Sequence, residues 1–127
     1  MDSYKLLNQP ALAPPAEIFP IVWTILFVLM GIASYLVYVS DANPKAITNA
    51  LRLYGIQLIM NFCWSIVFFN LGWYLFAFIW LLLLWLVILA TTWMFYKISK
   101  PAGYMMIPYV LWVTFAAYLN FMIWRLN

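Results

Sequence analysis

The stretch LYGIQLIMNFCWSIVFFNLGWYLFAFIWLLLLWLVILATTWMFY, from Leu53 to Tyr96, carries no charged residue. A helix needs about 20 apolar residues to cross the hydrocarbon of a bilayer. The stretch is therefore roughly two crossings long, and it turns once, at Asn70-Leu71-Gly72. No soluble domain of this size could bury such a run, because too little polar surface would remain to cover it. The reading is an integral membrane protein.

Composition agrees. The chain is 69% hydrophobic and 7% charged, against roughly half and a quarter in soluble domains. Its 127 residues leave room for one bundle and no separate soluble domain. The net charge of +3 is spread over several loops, so it makes no nucleic-acid patch and suits anchoring at a membrane surface. Cys63 is the single cysteine, so no internal disulfide can form, and mid-helix it reads as a small buried hydrophobe. Histidine is absent. The usual zinc sites, histidine triads and proximal haem ligand are excluded with it, so no metal site and no obligatory cofactor is expected. No secretory signal is evident at the start.

The whole chain, 1–127, is read as a single domain: an all-α, polytopic bundle of four spans. Residues 1–16 form a proline-bearing segment ending in Ala13-Pro14-Pro15, which cannot continue a helix and is expected to act as a lid. Helices follow at about 17–39, 45–69, 72–97 and 102–125. Glu17 suits the dipole of a first turn. The sequence Ser40-Asp41-Ala42-Asn43-Pro44 is a turn, Arg52 snorkels, and Pro101 with Gly103 breaks the third span from the fourth. Lys45, Arg52, Lys97 and Lys100 place the 40–52 and 97–100 connections in the cytoplasm of a bacterial cell membrane, with both ends outside.

Polar residues inside a span need a partner or a task. The second span carries Gln57, Asn61 and Ser65 on one stripe, flanked by Trp64 and Phe68. The fourth carries Tyr109, Trp112, Ala116 and Asn120 on one face, with Leu119 at its margin, and the first offers Phe19, Trp23 and Met30. Gln57 and Asn120 are open to two readings, interhelical hydrogen bonding or ligand contact. Asn61, Trp23 and Trp112 favour a ligand cavity, because indole offers a broad apolar face and one donor. Small Ala116 and Gly31 leave space between larger neighbours. Trp73, Trp80, Trp85, Trp93 and Trp124 read as interface-belt or lipid-facing residues. No span has a carboxylate at its middle, which disfavours a proton-coupled exporter.

Three ordered blocks carry a resemblance. YKLLNQPALAPP from Tyr4, with Phe19-Pro20-Ile21-Val22-Trp23 and Met30-Gly31, fits Y-x-x-L-x-x-P-x-x-x-P-P, then F-x-x-V-W, then M-G. QLIMNFCWSIVFF from Gln57 and PYVLWVTFAAYLN from Pro108 follow in the same order. Together they resemble the TspO/MBR family, the tryptophan-rich sensory or translocator proteins, over nearly the whole chain. The resemblance implies a membrane helix bundle, often a homodimer, binding protoporphyrin IX and other hydrophobic molecules, with no nucleic-acid partner. It implies a pocket lined by Tyr4 and Pro14 from the loop, Trp23, Asn61, Trp112, Ala116 and Leu119.

Three departures from the family pattern bear on this. The family has five spans, and its first helix precedes the proline-bearing loop; the four spans here imply truncation at an internal start or a four-helix variant. The loop carries Ser3 and Gln9 where the family has a tryptophan and a basic residue, which weakens an expectation of light-dependent porphyrin degradation. The sterol motif near the family's C-terminus needs an aromatic hydroxyl where this chain has Phe121. The leading expectation is a porphyrin receptor or sensor in tetrapyrrole regulation or transport under stress, with Lys5 the nearest cation by sequence for the propionates. Photo-oxidative degradation and small-molecule transport are the alternatives.

Overall fold

The computed structural model of the chain describes residues 18–127. The expectations for the lid, Tyr4, Lys5, Pro14 and Glu17 lie outside the described residues. Four helices follow one another: α1 (Ile18–Tyr38), α2 (Pro44–Ser65, continued by a π-helical turn over Ile66–Leu71), α3 (Tyr74–Ile98) and α4 (Lys100–Leu126). All four are long and apolar enough to cross a membrane, so the chain is a multi-pass integral membrane protein.

Local chemistry sets the three connections. After α1, Asn43 caps α2: its Oδ1 accepts from the Lys45 N–H at 2.8 Å, and Pro44 occupies the first helical turn. Proline there gives up only an N–H that had no partner, so α2 opens one residue before Lys45. Between α2 and α3 the last turn widens, and Gly72 adopts φ +68°. A side chain in that left-handed conformation would clash with its own carbonyl, and glycine escapes the cost. Asn70 and Leu71 therefore belong to α2 rather than to the turn. Between α3 and α4 only Ser99 is extended (φ −147°, ψ 112°). Pro101 does not break the chain, as its position suggests, because it lies in the opening turn of α4.

The helices form a ring in chain order. α3 packs chiefly along α4, α2 along α3, and α1 along α4, while α1 also approaches α3 across one diagonal. Across the other diagonal, no Cα of α2 lies within 8 Å of one of α4. Buried positions recur at alternating spacings of three and four, seen most clearly in α3 at Ala77, Leu81, Leu84, Ile88, Thr91 and Phe95. That alternation belongs to left-handed helix packing. The opposite face of α3 is equally apolar, with Leu75, Phe76, Ile79, Leu82, Leu83 and Leu86 exposed, as a lipid-facing surface requires.

Two expectations about individual residues are corrected. Gly31 does leave open space, but not between helices: it is exposed, and a Cβ placed there would meet nothing within 4 Å. Cys63 is half-buried rather than buried. The close approach occurs at Gly103, where an added Cβ would lie 2.5 Å from the Tyr96 Cβ and 2.6 Å from its Cα. The short Ser99 link forces α4 back against α3 at that point. Gly103→Ala should lower stability by about 1–3 kcal/mol through overpacking. Gly31→Ala, with open space and ordinary helical backbone, should raise it by roughly 0.5–1 kcal/mol. Thermal unfolding of both variants in one detergent checks the contrast.

Candidate functional site

The α2–α4 diagonal is spanned by side chains. Asn61 Nδ2 donates to the Tyr109 hydroxyl at 2.8 Å, and that hydroxyl donates to Gln57 Oε1 at 2.6 Å. Gln57 Nε2 then points to Met30 Sδ on α1 at 3.8 Å. Further along both helices, Trp64 Nε1 donates to Asn120 Oδ1 at 3.1 Å, and Asn120 Nδ2 donates to the Tyr74 carbonyl of α3 at 2.8 Å. Gln57, Asn61 and Asn120 are all buried. Of the two readings open for Gln57 and Asn120, these contacts are those of interhelical hydrogen bonding. In hydrocarbon an unpaired amide has no water to turn to, so the pairs lock register as well as adding attraction.

Two tryptophans read as belt residues act in the same way. Trp80 Nε1 donates to the Met60 carbonyl at 2.8 Å, joining α3 to α2, and Trp85 Nε1 donates to Thr114 Oγ1 at 2.9 Å, joining α3 to α4. Both rings are only half-buried, so these bonds add a helix-joining role to the interface-belt or lipid-facing one read from the sequence. Trp73, Trp93 and Trp124 are exposed.

Where α2 is held away from α4, an aromatic cavity remains beside α1. Its lining includes Phe19 and Trp23 from α1, Trp64, Phe68 and Phe69 from α2, and Trp112, Ala116, Leu119, Asn120 and Ile123 from α4. Four of the residues selected from sequence, Trp23, Trp112, Ala116 and Leu119, meet there. Asn61 lies on an adjoining groove of about 240 Å³ that it shares with Phe19, Pro20, Trp23, Phe27, Ser65 and Phe69. Trp64, Phe68 and Phe69 complete the wall but were not selected as ligand contacts. Trp64 was within reach of a pattern argument, being three residues from Asn61. Phe69 was not, because the π turn that directs it here has no plain sequence signal.

The cavity is small, about 20 Å³, enough for a single water-sized sphere. The rings around it meet edge to face: Trp23 and Trp112 lie 6.4 Å apart at 89°, Phe19 and Trp112 5.8 Å apart at 66°, and Trp23 and Tyr109 6.2 Å apart at 70°. Perpendicular indoles cannot both lie flat on one planar ligand. Trp112 Nε1 is buried and has no hydrogen-bond partner among the described residues. An unmet buried donor costs about 1–3 kcal/mol, which a ligand acceptor would recover.

The polar bridge makes a direct prediction. Tyr109→Phe removes both hydrogen bonds that the Tyr109 hydroxyl makes, to Asn61 and to Gln57, with almost no change of volume, and should cost about 1–2 kcal/mol. Lowered thermal stability with unchanged helical circular dichroism is the expected result; no change would mean that the bridge contributes nothing.

Comparison with known proteins agrees with this architecture. The TspO/MBR family model matches residues 1–125. A tryptophan-rich protein TspO from Chlorobaculum tepidum is 40% identical over 98% of this chain and 78% of its own length. The tryptophan-rich sensory protein of Cereibacter sphaeroides is 37% identical over 98% and 76%. The translocator protein of Homo sapiens is 36% identical over 98% and 74%. With the same ordered motifs, four apolar crossings and relatives spread from bacteria to mammals, this chain belongs to the TspO/MBR family of membrane proteins.

Proposed function

We propose that the protein binds porphyrins, protoporphyrin IX foremost, in the aromatic junction of α1, α2 and α4, and serves as a receptor or sensor in tetrapyrrole regulation or transport. The observation that carries this reading is the convergence of Trp23, Trp112, Ala116 and Leu119 on one apolar cavity, where the Trp112 indole donor has no partner among the described residues. Relatives named as sensory and translocator proteins lend it direction. The cavity and the neighbouring groove share Phe19, Trp23 and Phe69 as a partition. Entry of a macrocycle requires those rings to turn aside and merge the two spaces. Asn61 would then contact the ligand from the groove side, while its Nδ2 remains on Tyr109. Tyr4, Pro14 and Lys5 enter the proposal from sequence alone, as loop contacts and as a cation for the propionates. Pairing of two chains into a homodimer is part of the same proposal.

Titrating protoporphyrin IX into the protein in detergent should quench tryptophan fluorescence saturably. The Trp23→Ala, Trp112→Ala double variant should lose that quenching. Because it also removes two fluorophores, Ala116→Leu supplies a second arm that keeps all eight tryptophans while filling the cavity. Undiminished quenching in both variants would place the ligand elsewhere.

Photo-oxidative degradation is the second reading, favoured by the ring cluster around the cavity, which would set several aromatic donors beside a bound pigment. Illumination under air separates the two. Loss of porphyrin absorbance that needs intact Trp23 and Trp112 indicates degradation; a stable pigment indicates binding alone.

A further inference from the structure

At the end of α3 and the start of α4 lies a second, separate concavity, an open groove of about 410 Å³ facing outward. Its α3 wall is Leu89, Thr92, Trp93 and Tyr96, and its α4 wall is Gly103, Tyr104 and Ile107. Both sets sit at helical spacings of three and four, so each is one continuous face. The groove exists because Gly103 has no side chain and lies against Tyr96. Along α3 it runs from Leu89 to Tyr96, about 10 Å at 1.5 Å per residue. Its walls present little unmet polarity, since the Thr92 hydroxyl is already bonded to the Ile88 carbonyl at 2.8 Å. A slot of this kind suits a hydrocarbon chain.

Two cations stand at its polar end. Lys97 Nζ lies 5.9 Å from the centroid of the Trp93 ring, which is itself a groove wall. Lys100 opens α4 one turn before Gly103 and Tyr104, on the same face. Both lysines are exposed, and neither has an ion-pair partner among the described residues. Asp41, the one acidic side chain among those residues, belongs to the α1–α2 connection. The Trp93, Tyr96 and Tyr104 rings beside them are of the amphipathic kind that gathers at headgroup level.

We propose that this groove is a binding site for a single anionic phospholipid, its phosphate held between Lys97 and Lys100 and one acyl chain lying along the α3–α4 seam. Charge complementarity chooses the occupant. Two unpaired ammonium groups attract a headgroup with net negative charge and gain little from a zwitterionic one, whose choline they repel. The site is distinct from the aromatic junction of α1, α2 and α4, with which it shares no residue.

The test uses the full chain in vesicles containing phosphatidylglycerol or phosphatidylcholine with brominated acyl chains, which quench nearby indoles. The Trp93 share of the signal is the difference between the protein and its Trp93→Phe variant. At low salt, brominated phosphatidylglycerol should be favoured over phosphatidylcholine at Trp93 by about fivefold or more, given the usual attraction per basic residue at an anionic surface. Raising salt to about 1 M, where the screening length is about 3 Å, should erase the preference without any substitution. Lys97→Gln with Lys100→Gln should bring the ratio close to one, while Lys45→Gln with Arg52→Gln should leave it unchanged. Equal quenching by both lipids in the unaltered chain would overturn the proposal. So would an equal loss in the Lys45 and Arg52 variant, which would reveal diffuse surface charge instead of a site.

Discussion

Pairing of buried amides and hydroxyls across the α2–α4 diagonal is the constraint from which the rest of this bundle follows. In a bilayer, apolar burial hardly distinguishes a helix neighbour from a lipid chain, so packing and polar contacts must decide which faces turn inward. Here Asn61, Tyr109 and Gln57 form one bridge, and Trp64, Asn120 and the Tyr74 carbonyl form another. Each spans helices whose backbones stay more than 8 Å apart. Large side chains therefore hold the diagonal open while hydrogen bonds prevent it from slipping.

The aromatic junction is a by-product of that spacing. Two helices kept apart leave room beside α1, and bulky rings fill all of it except where Ala116 is too small to do so. The result is a small, partly open cavity lined by rings in edge-to-face contact. Polar groups are few there: the Trp112 Nε1 and Asn120 belong to the cavity, and Asn61 lines the adjoining groove. The π turn contributes as well. By widening the end of α2 it brings Phe68 and Phe69 onto the same wall, as irregular turns of this type often do near sites.

The α3–α4 seam works by the opposite rule. A one-residue link at Ser99 and a glycine at position 103 bring the two backbones close, and the gap that remains opens to lipid rather than to the interior. One fold thus contains an inward aromatic cavity made by separation and an outward groove made by contact. Lys97 and Lys100 stand at the end of that groove.

The sequence by itself determined the class and count of elements. Long uncharged apolar runs admit only membrane helices, and Asn43-Pro44 and Gly72 punctuate them through capping and positive φ, whereas the last break falls at Ser99 rather than at Pro101 and Gly103. The stripes also pointed to Trp23 and Trp112 and to the space at Ala116, because rings and small residues at helical spacing share a face, while Leu119 joined them through the family resemblance. Only the tertiary structure decided which way each face turns. Along α3 both sides are apolar, so no periodic pattern could separate Leu84 from Leu83, nor the bonded Trp80 and Trp85 from the exposed Trp93. In water, contrast between polar and apolar sides writes orientation into the chain; in lipid that contrast is absent, and orientation is set by which donors find acceptors once the helices meet.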